Sequence, residues 1–195
     1  AIIELAAARA RRKARAADKA LAKGARGRPL LGVPMTIKES FDVAGMRTTW
    51  GDPALRDNVA RRDALAVERL EAAGAIVFGK TNVPLMLADW QSYNDIYGTT
   101  SNPWDVTRSP GGSSGGSAVA LATGMAWVAH GSDLGGSLRN PASFCGVVGM
   151  RPSPGRVAAS VFSKIDSTLG VEGPMARNVE DLALLFDAMV GEEPA

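Results

Sequence analysis

Two short segments built almost entirely of glycine and serine constrain this chain more than any other feature. They read GGSSGGS (residues 111–117) and GSDLGGS (residues 131–137), and the apolar stretch AVALATGMAWVA lies between them. Gly/Ser-rich segments often form flexible linkers. The apolar stretch between these two segments argues against a linker, because apolar residues indicate a folded core. The fold must therefore hold two unusually permissive backbone segments beside its core.

The composition fits one globular domain and narrows the possible chemistry. The chain has 195 residues, 46% of them hydrophobic, and its net charge of +2 predicts neither a nucleic-acid nor a membrane partner. Its one cysteine, Cys145, cannot form an intramolecular disulfide and suits a reducing compartment, so we expect a cytoplasmic protein. Its one histidine, His130, lies seven positions before Ser137. No metal site built from His and Cys is expected, a nucleophile here needs a base other than histidine, and His130 and Cys145 are expected to be structural.

Alternation of helical and strand patterns predicts an α/β fold. An Ala- and Arg-rich composition predicts a helix over residues 4–24, whose thin apolar face indicates a surface helix. Apolar spacing predicts helices over residues 61–74 and 173–191, with Asn178 as the N-cap of the last. The apolar run at residues 75–79 predicts a buried strand.

Two stretches fit more than one structure. Residues 30–40, LLGVPMTIKES, contain Pro34, which predicts either an edge strand or an extended segment that leads into the sheet. Residues 74–81, GAIVFGKT, fit the phosphate-binding loop pattern formally. However, AIVF is itself a strand pattern, and Pro84 follows where a helix should begin. We therefore expect no nucleotide site and interpret Lys80 as an exposed or locally paired lysine at a strand end.

The second Gly/Ser segment has the composition of an anion-binding turn. Gly135 and Gly136 let the backbone turn tightly, so that consecutive N–H groups can point at one spot, as in an oxyanion hole. Ser137 follows at once and would place a hydroxyl beside those donors. A plain Gly-Gly-Ser turn is the alternative.

The first segment surrounds two serines with four glycines. It precedes SAVALATG, a short helix pattern, so Ser114 or Ser117 is expected to be a helix cap. Capping explains Ser113 less well, because four flanking glycines are more than a cap requires. Two glycine-enclosed serines, Ser113 and Ser137, then need one explanation.

The segments together resemble the amidase signature hydrolases, the family of fatty acid amide hydrolase-like enzymes and bacterial amidases. The resemblance covers GVPMTIKESFDVAG, GAIVFGKTNVP, YGTTSNPWD, the stretch from SPGGSSGGS through GSDLGGSLRNPASFCGVVGMRPSPGRV, and LGVEGPMARNVEDLALL. It extends over roughly residues 30–190.

The resemblance implies a Ser–cisSer–Lys triad without histidine. Lys38 matches the base, Ser113 the bridging serine after a cis peptide bond, and Ser137 the nucleophile. The implied oxyanion hole consists of the backbone N–H groups of Leu134, Gly135, Gly136 and Ser137. Supporting positions are implied for Gly112, Ser132, Asp133 and Arg139, and a place in the substrate pocket for Leu87.

The family fold is an α/β/α sandwich around a mixed central sheet. The resemblance therefore implies one amidase signature core domain over residues 1–195, with an N-terminal helix at 1–24, a catalytic core at about 30–190, and the downstream half of the usual domain absent. The implied partner is a small-molecule amide, with no cofactor, no metal, no nucleic acid and no membrane, and with a possible homodimer.

Two alternatives to a stand-alone amidase stay open. The first is the A subunit of a glutamyl-tRNA amidotransferase, in which the same triad would release ammonia from glutamine. The second is a truncated module without catalysis.

Overall fold

A six-stranded mixed sheet forms the centre of the computed structural model, which describes residues 1–157 and 169–191. The expected catalytic core at about 30–190 thus includes residues 158–168, which lie outside the described ones. The strands are β1 (Ile2–Leu5), β2 (Pro34–Lys38), β3 (Ile76–Thr81), β4 (Tyr93–Asn94), β5 (Gly98–Thr99), β6 (Val128–Asp133), β7 (Val148–Gly149) and β8 (Val171–Ala176). The helices are α1 (Ala7–Ala22), α2 (Leu65–Ala72), α3 (Gly115–Ala122), α4 (Arg139–Cys145) and α5 (Val179–Met189).

The strand order in the large sheet is β1-β3-β2-β6-β8-β7, and β4 pairs with β5 separately. Strand β2 runs parallel to both β3 and β6, whereas β1–β3, β6–β8 and β7–β8 are antiparallel. The predicted mixed central sheet is therefore confirmed.

Helices cover both faces of this sheet. Val128 belongs to one apolar cluster, with residues of α2 and α5, and its neighbour Ala129 belongs to the other, with residues of α3 and α4. Met175 and Ala176 of β8 are divided between the clusters in the same way. Because successive strand residues point to opposite faces, the two clusters lie on opposite sides, which is the predicted α/β/α sandwich.

The expectation that Pro34 marks an edge strand is wrong, because β2 lies between β3 and β6 in the middle of the sheet. Pro34 is the first residue of the strand, a position where the missing N–H interrupts little of the ladder. The hydrogen bond at this end comes instead from Ile76, whose N–H donates to the Val33 carbonyl at 2.8 Å.

The predicted helix at residues 4–24 begins too early, because Ile2–Leu5 forms an edge strand and α1 starts only at Ala7. The Ala6 N–H donates to the Phe78 carbonyl at 2.8 Å, which continues the contact with β3 to the start of the helix. Only Ala10 and Ala17 of α1 are buried, as expected for a helix with a thin apolar face.

The other predicted elements exist with shifted ends. The helix expected at 61–74 is α2, the strand expected at 75–79 continues to Thr81, and the first four residues of the stretch 173–191 belong to β8. Asn178 caps α5 as predicted, because its Oδ1 accepts from the Asp181 N–H at 2.7 Å.

Candidate active site

Lys38 lies at the carboxyl end of β2 with its side chain completely buried. Its Nζ is 2.7 Å from Ser113 Oγ and 2.9 Å from Ser132 Oγ. These contacts join segments 75 and 94 positions apart in the sequence. The sheet brings them together, because β2 and β6 are parallel neighbours and their carboxyl ends meet at one edge.

Burial lowers the pKa of Lys38 to about 7, and the negative charge of Asp133 opposes this shift only in part. An ammonium group loses its hydration in such a place, which disfavours the charged form. A substantial fraction of the amine is therefore neutral at neutral pH. In that form Nζ carries a lone pair and can accept a proton from a neighbouring hydroxyl.

Ser113 follows a cis peptide bond from Gly112, as the resemblance implied. The glycines around it lie where no side chain fits. A Cβ on Gly112 would stand 2.0 Å from the Gln91 carbonyl oxygen, and one on Gly115 would stand 2.3 Å from Ser92 Oγ. Close packing against the 91–92 backbone and side chains therefore requires glycine here.

Ser114 is the N-cap residue of α3, but its side chain does not cap the helix. Its hydroxyl instead donates to the Ser132 carbonyl at 3.2 Å, and its N–H donates to the Ser137 carbonyl at 3.2 Å. The expected helix is confirmed, but it begins at Gly115, inside the first Gly/Ser segment. Neither expected side-chain cap forms, because Ser117 lies within the helix and donates its hydroxyl to the His130 carbonyl at 3.0 Å. Ser114 ties the two Gly/Ser segments together.

Asp133, at the end of β6, organises the turn that contains Ser137. Its carboxylate accepts from the N–H groups of Gly136 at 2.8 Å and Leu138 at 3.1 Å. Arg139 donates to both carboxylate oxygens at 3.0 Å, and Arg151 donates to Oδ1 at 3.2 Å. The turn is therefore wrapped around one buried negative charge.

Burial by itself raises the pKa of Asp133. Hydrogen bonds from Arg139, Leu138 and Gly136, together with the charge of Arg139, outweigh burial and hold the pKa well below its usual range. The carboxylate is therefore ionised at neutral pH.

The N–H groups of Leu134, Gly135 and Ser137 donate to no acceptor within residues 1–157 and 169–191. The Gly136 N–H was expected to be an oxyanion-hole donor, but it donates to the Asp133 carboxylate instead. This hydrogen bond positions the turn. Three of the four N–H groups that the resemblance implied as donors are then available to a ligand.

A cleft of about 550 Å³ opens above these serines. Its walls are formed by Trp50, Met86, Leu87, Ala88, Asp89, Trp90, Ser113, Ser132, Leu134, Gly135 and Ser137. Leu87 therefore lies on the cleft wall, where the resemblance placed it. The side chain of Lys38 lies beneath, reaching the cleft through Ser113 and Ser132.

The sequence did not predict the aromatic wall or its support. Trp50 adopts a left-handed backbone with φ 56°, and its N–H donates to Glu39 Oε2 at 2.9 Å. Glu39, directly after Lys38, also accepts from the N–H and the hydroxyl of Thr49, both at 2.7 Å. The only available signal was a carboxylate adjacent to the lysine in IKES, which by itself does not indicate Trp50.

Lys80 is completely buried, so its interpretation as an exposed or locally paired lysine is wrong. Its amine donates to the Arg47 carbonyl and, at 2.8 Å, to Thr48 Oγ1, both distant in sequence. Burial lowers its pKa to about 8, against the attraction of Glu39, Glu4 and Asp42. A buried lysine inside a strand does not cradle phosphates, which supports the rejection of the phosphate-binding loop.

His130 and Cys145 lie away from the cleft lining. His130 Nε2 is 3.0 Å from Glu172 Oε2, and its ring meets Phe41 edge-on at 4.5 Å between centroids. Burial raises the pKa of Cys145 to about 12. Among the described residues, no group of three or more His, Cys, Asp or Glu side chains is arranged to hold a metal ion, and none of the helices is long and apolar enough to cross a membrane.

The comparisons with known proteins agree on one family. The family model described as Amidase matches residues 1–195. The A subunit of glutamyl-tRNA(Gln) amidotransferase from Anaeromyxobacter sp. (strain K) is 44% identical over 194 residues, which are 100% of this chain and 39% of that protein. A solved chain from a vestigial protein complex that reveals the evolutionary origins of an s-triazine catabolic enzyme superimposes with a TM-score of 0.91 at 41% identity, covering 97% of this chain and 42% of its own. Peptide amidase from Stenotrophomonas maltophilia superimposes with a TM-score of 0.87 at 36% identity, covering 99% and 40%.

The chain thus spans between 39% and 42% of the length of these relatives. The family model and the Anaeromyxobacter relative match the full length of this chain, including the six-stranded sheet and the cleft.

Proposed function

The chain belongs to the amidase family, and from that premise we propose that it hydrolyses a carboxylic acid amide through a Ser–cisSer–Lys triad and an acyl-enzyme intermediate. One observation carries the proposal. The buried Lys38 amine lies 2.7 Å from Ser113 Oγ, and Ser113 and Ser137 line the same cleft. A base, a bridging hydroxyl and a nucleophile are the groups that acyl transfer without histidine requires.

In the proposed reaction, neutral Lys38 accepts the proton of Ser113 while Ser113 takes the proton of Ser137. Ser137 Oγ attacks the amide carbonyl carbon, and its C–O bond forms as the carbonyl π bond moves to oxygen. When the tetrahedral intermediate collapses, the C–N bond breaks and Ser113 returns a proton to the leaving nitrogen. Water then attacks the acyl-enzyme through the same relay, which releases the acid and restores Ser137.

The developing oxyanion needs donors that are already in place. The proposed donors are the N–H groups of Leu134, Gly135 and Ser137, which have no acceptor in the described part of the chain. Asp133 supports them from behind, because it fixes the Gly136 and Leu138 N–H groups and thereby the shape of the turn.

A fluorophosphonate probe tests the proposal, because it reacts with an activated serine and stays bound. The protein is labelled, digested, and the adduct mapped by mass spectrometry. We expect the adduct on Ser137, none in Ser137→Ala, and labelling slowed at least a hundredfold in Lys38→Met and in Ser113→Ala, because residues of a relay act as one unit. Lys23→Met, which changes an exposed lysine, is the matched control. Labelling of Ser113→Ala at the wild-type rate would refute the relay.

The A subunit of a glutamyl-tRNA amidotransferase is the second candidate, and the curated relatives at 44% to 46% identity favour it. It predicts the same adduct on Ser137, with glutamine as the substrate and a rate that depends on partner proteins. Ammonia release from glutamine, with and without such partners, separates the two candidates. Absence of any adduct in folded protein would favour the other alternative, a truncated module without catalysis. A small-molecule amide as the partner, a homodimer and a cytoplasmic location stay predictions from the sequence.

A further inference from the structure

One carboxylate lies in the otherwise uncharged cleft. Of the eleven described residues that line it, Asp89 alone carries a formal charge. The other walls are aromatic, apolar or hydroxyl-bearing. An isolated charge in such a wall determines which ligand charges the cleft accepts.

No cation of the described chain neutralises Asp89. It forms neither an ion pair nor a hydrogen bond with any residue in 1–157 or 169–191. The guanidinium of Arg139, in the turn that holds Ser137, is already engaged by both oxygens of Asp133. Asp89 is half-buried, so its carboxylate is partly shielded from water yet open to the cleft.

The two residues after Asp89 pack against the Gly/Ser segments. A Cβ built on Gly136 would lie 3.8 Å from Trp90 Nε1, and one built on Gly112 would meet the Gln91 carbonyl oxygen at 2.0 Å. The Trp90 indole therefore lies against the turn that holds Ser137, and the Gln91 backbone lies against the segment that holds Ser113. A group bound at Asp89 shares the cleft with the reacting serines.

Two tryptophans line the same cleft as this carboxylate. Trp50 and Trp90 both line the cleft, and Met86 donates its N–H to the Trp50 carbonyl at 2.7 Å, which joins the two halves of the wall. The faces of tryptophan rings attract cations, most strongly where water is partly excluded. Tryptophan rings and an unpaired carboxylate in one cleft are the groups to which an organic ammonium ion binds favourably.

We propose that this cleft selects amide substrates that carry a positively charged amino group, with the ammonium beside Asp89 and the apolar part of the molecule against Trp50, Leu87 and Trp90. This inference rests on the proposed amidase function, but the selection itself is a property of binding. Amides that carry a carboxylate at the same place are disfavoured, because two like charges would meet in a cleft of low polarity.

Three benzamides of nearly equal size test the selection. They are 4-(aminomethyl)benzamide, which is a cation, 4-(hydroxymethyl)benzamide, which is neutral, and 4-(carboxymethyl)benzamide, which is an anion. Binding to Ser137→Ala is measured through tryptophan fluorescence and calorimetry, so that no turnover interferes. We expect the cation to bind about three- to tenfold more tightly than the neutral amide, the range of a partly exposed ion pair with a cation–π contribution. The preference should shrink in high salt.

The Asp89→Asn substitution, introduced into the same Ser137→Ala background, should abolish the preference while leaving the affinity for the neutral amide unchanged. Asp95→Asn removes an exposed carboxylate outside the cleft and is the matched control. A preference that survives Asp89→Asn, equal binding of all three amides, or no saturable binding of the cation would each overturn the inference.

Failure of the proposed function is recognised separately. Absence of the fluorophosphonate adduct on Ser137, together with intact charge selection, would overturn the amidase proposal and leave a cleft that binds cationic amides. Hydrolysis without charge selection would overturn the inference alone. In an active protein, the ratio of kcat/KM between the cationic and neutral amides should fall by the same three- to tenfold in Asp89→Asn.

Discussion

Replacing Lys38 with methionine should slow labelling of Ser137 and yet make the folded protein more stable, with a larger gain at pH 6 than at pH 9. The reason lies in the burial of a charge. Lys38 is completely buried and its Nζ contacts only two hydroxyl groups at hydrogen-bond distance, Ser113 Oγ and Ser132 Oγ. Methionine has a similar length and no charge to desolvate.

The magnitude follows from the pKa of Lys38, which burial lowers from 10.5 to about 7. Below pH 7 the lysine is protonated in both states, so the folded state carries the whole desolvation penalty. Between pH 7 and 10.5 the folded lysine is neutral while the unfolded one keeps its proton, so the penalty declines as the pH rises. By linkage it amounts to about 5 kcal/mol at pH 6 and about 2 kcal/mol at pH 9.

The hydrogen bonds that methionine cannot make offset part of the gain, by about 1 kcal/mol each. That loss depends little on pH, so the difference between the two pH values remains about 3 kcal/mol. Urea unfolding of the wild type and Lys38→Met at pH 6, 7.5 and 9 measures it, with Lys23→Met as the control for an exposed lysine. Other titrating groups cancel, because each comparison is made at one pH.

A change in unfolding free energy that is the same at pH 6 and pH 9 would refute the reasoning. It would mean that Lys38 does not release its proton near neutrality, and the neutral amine required of a general base would be missing. A gain that is larger at pH 9 would contradict the sign of the linkage itself.

Three further predictions, two on substitutions and one on cysteine reactivity, concern other parts of the structure. Gly112→Ala should destabilise the fold by about 3 kcal/mol in urea unfolding, because the new methyl group would overlap the Gln91 carbonyl, whereas Gly135→Ala, with no atom within 4 Å, should change stability little. Asp133→Asn should lower the unfolding free energy at pH 7 by about 3 kcal/mol, and the deficit should shrink progressively as the pH falls below about 4, since a carboxylate with a lowered pKa stabilises fully only above the pKa of the unfolded state. Cys145 should resist a thiol reagent at pH 8 in the folded protein and react in urea, because burial raises its pKa to about 12; rapid native reaction would contradict its burial.

Local patterns determined the parts of the fold that the sequence could predict. Asn178 was recognised as a cap because its side chain satisfies a backbone donor three residues away, which is a purely local contact. The helix predicted at SAVALATG and the buried strand near residues 75–79 follow from local sequence patterns alone. The triad candidates came from the family resemblance. No local pattern indicates that Lys38 and Ser113, which are distant in sequence, lie side by side.

Expectations failed where partners distant in sequence decide the outcome. Residues Ile2–Leu5 form a strand because they pair with the edge of β3, although the residues that follow them in sequence favour a helix. Lys80 is buried because the Arg47 carbonyl and Thr48 Oγ1 accept its hydrogen bonds and Glu39 attracts its charge, which no pattern in GAIVFGKT indicates. The engagement of the Gly136 N–H by Asp133 likewise depends on how one turn closes on a carboxylate.

The order of strands in the sheet gives the serine label a second use. Strand β2 pairs with β3 and β6, and the contacts of Lys38 join residues 75 and 94 positions apart, so the lysine meets its hydroxyl partners only when the centre of the sheet has assembled. Local helices form much earlier than such distant pairings. During refolding, helical circular dichroism should thus recover before Ser137 becomes reactive. The probe then reports the time at which the sheet assembles, and the labelled fraction of a preparation measures how many of its molecules have folded to completion.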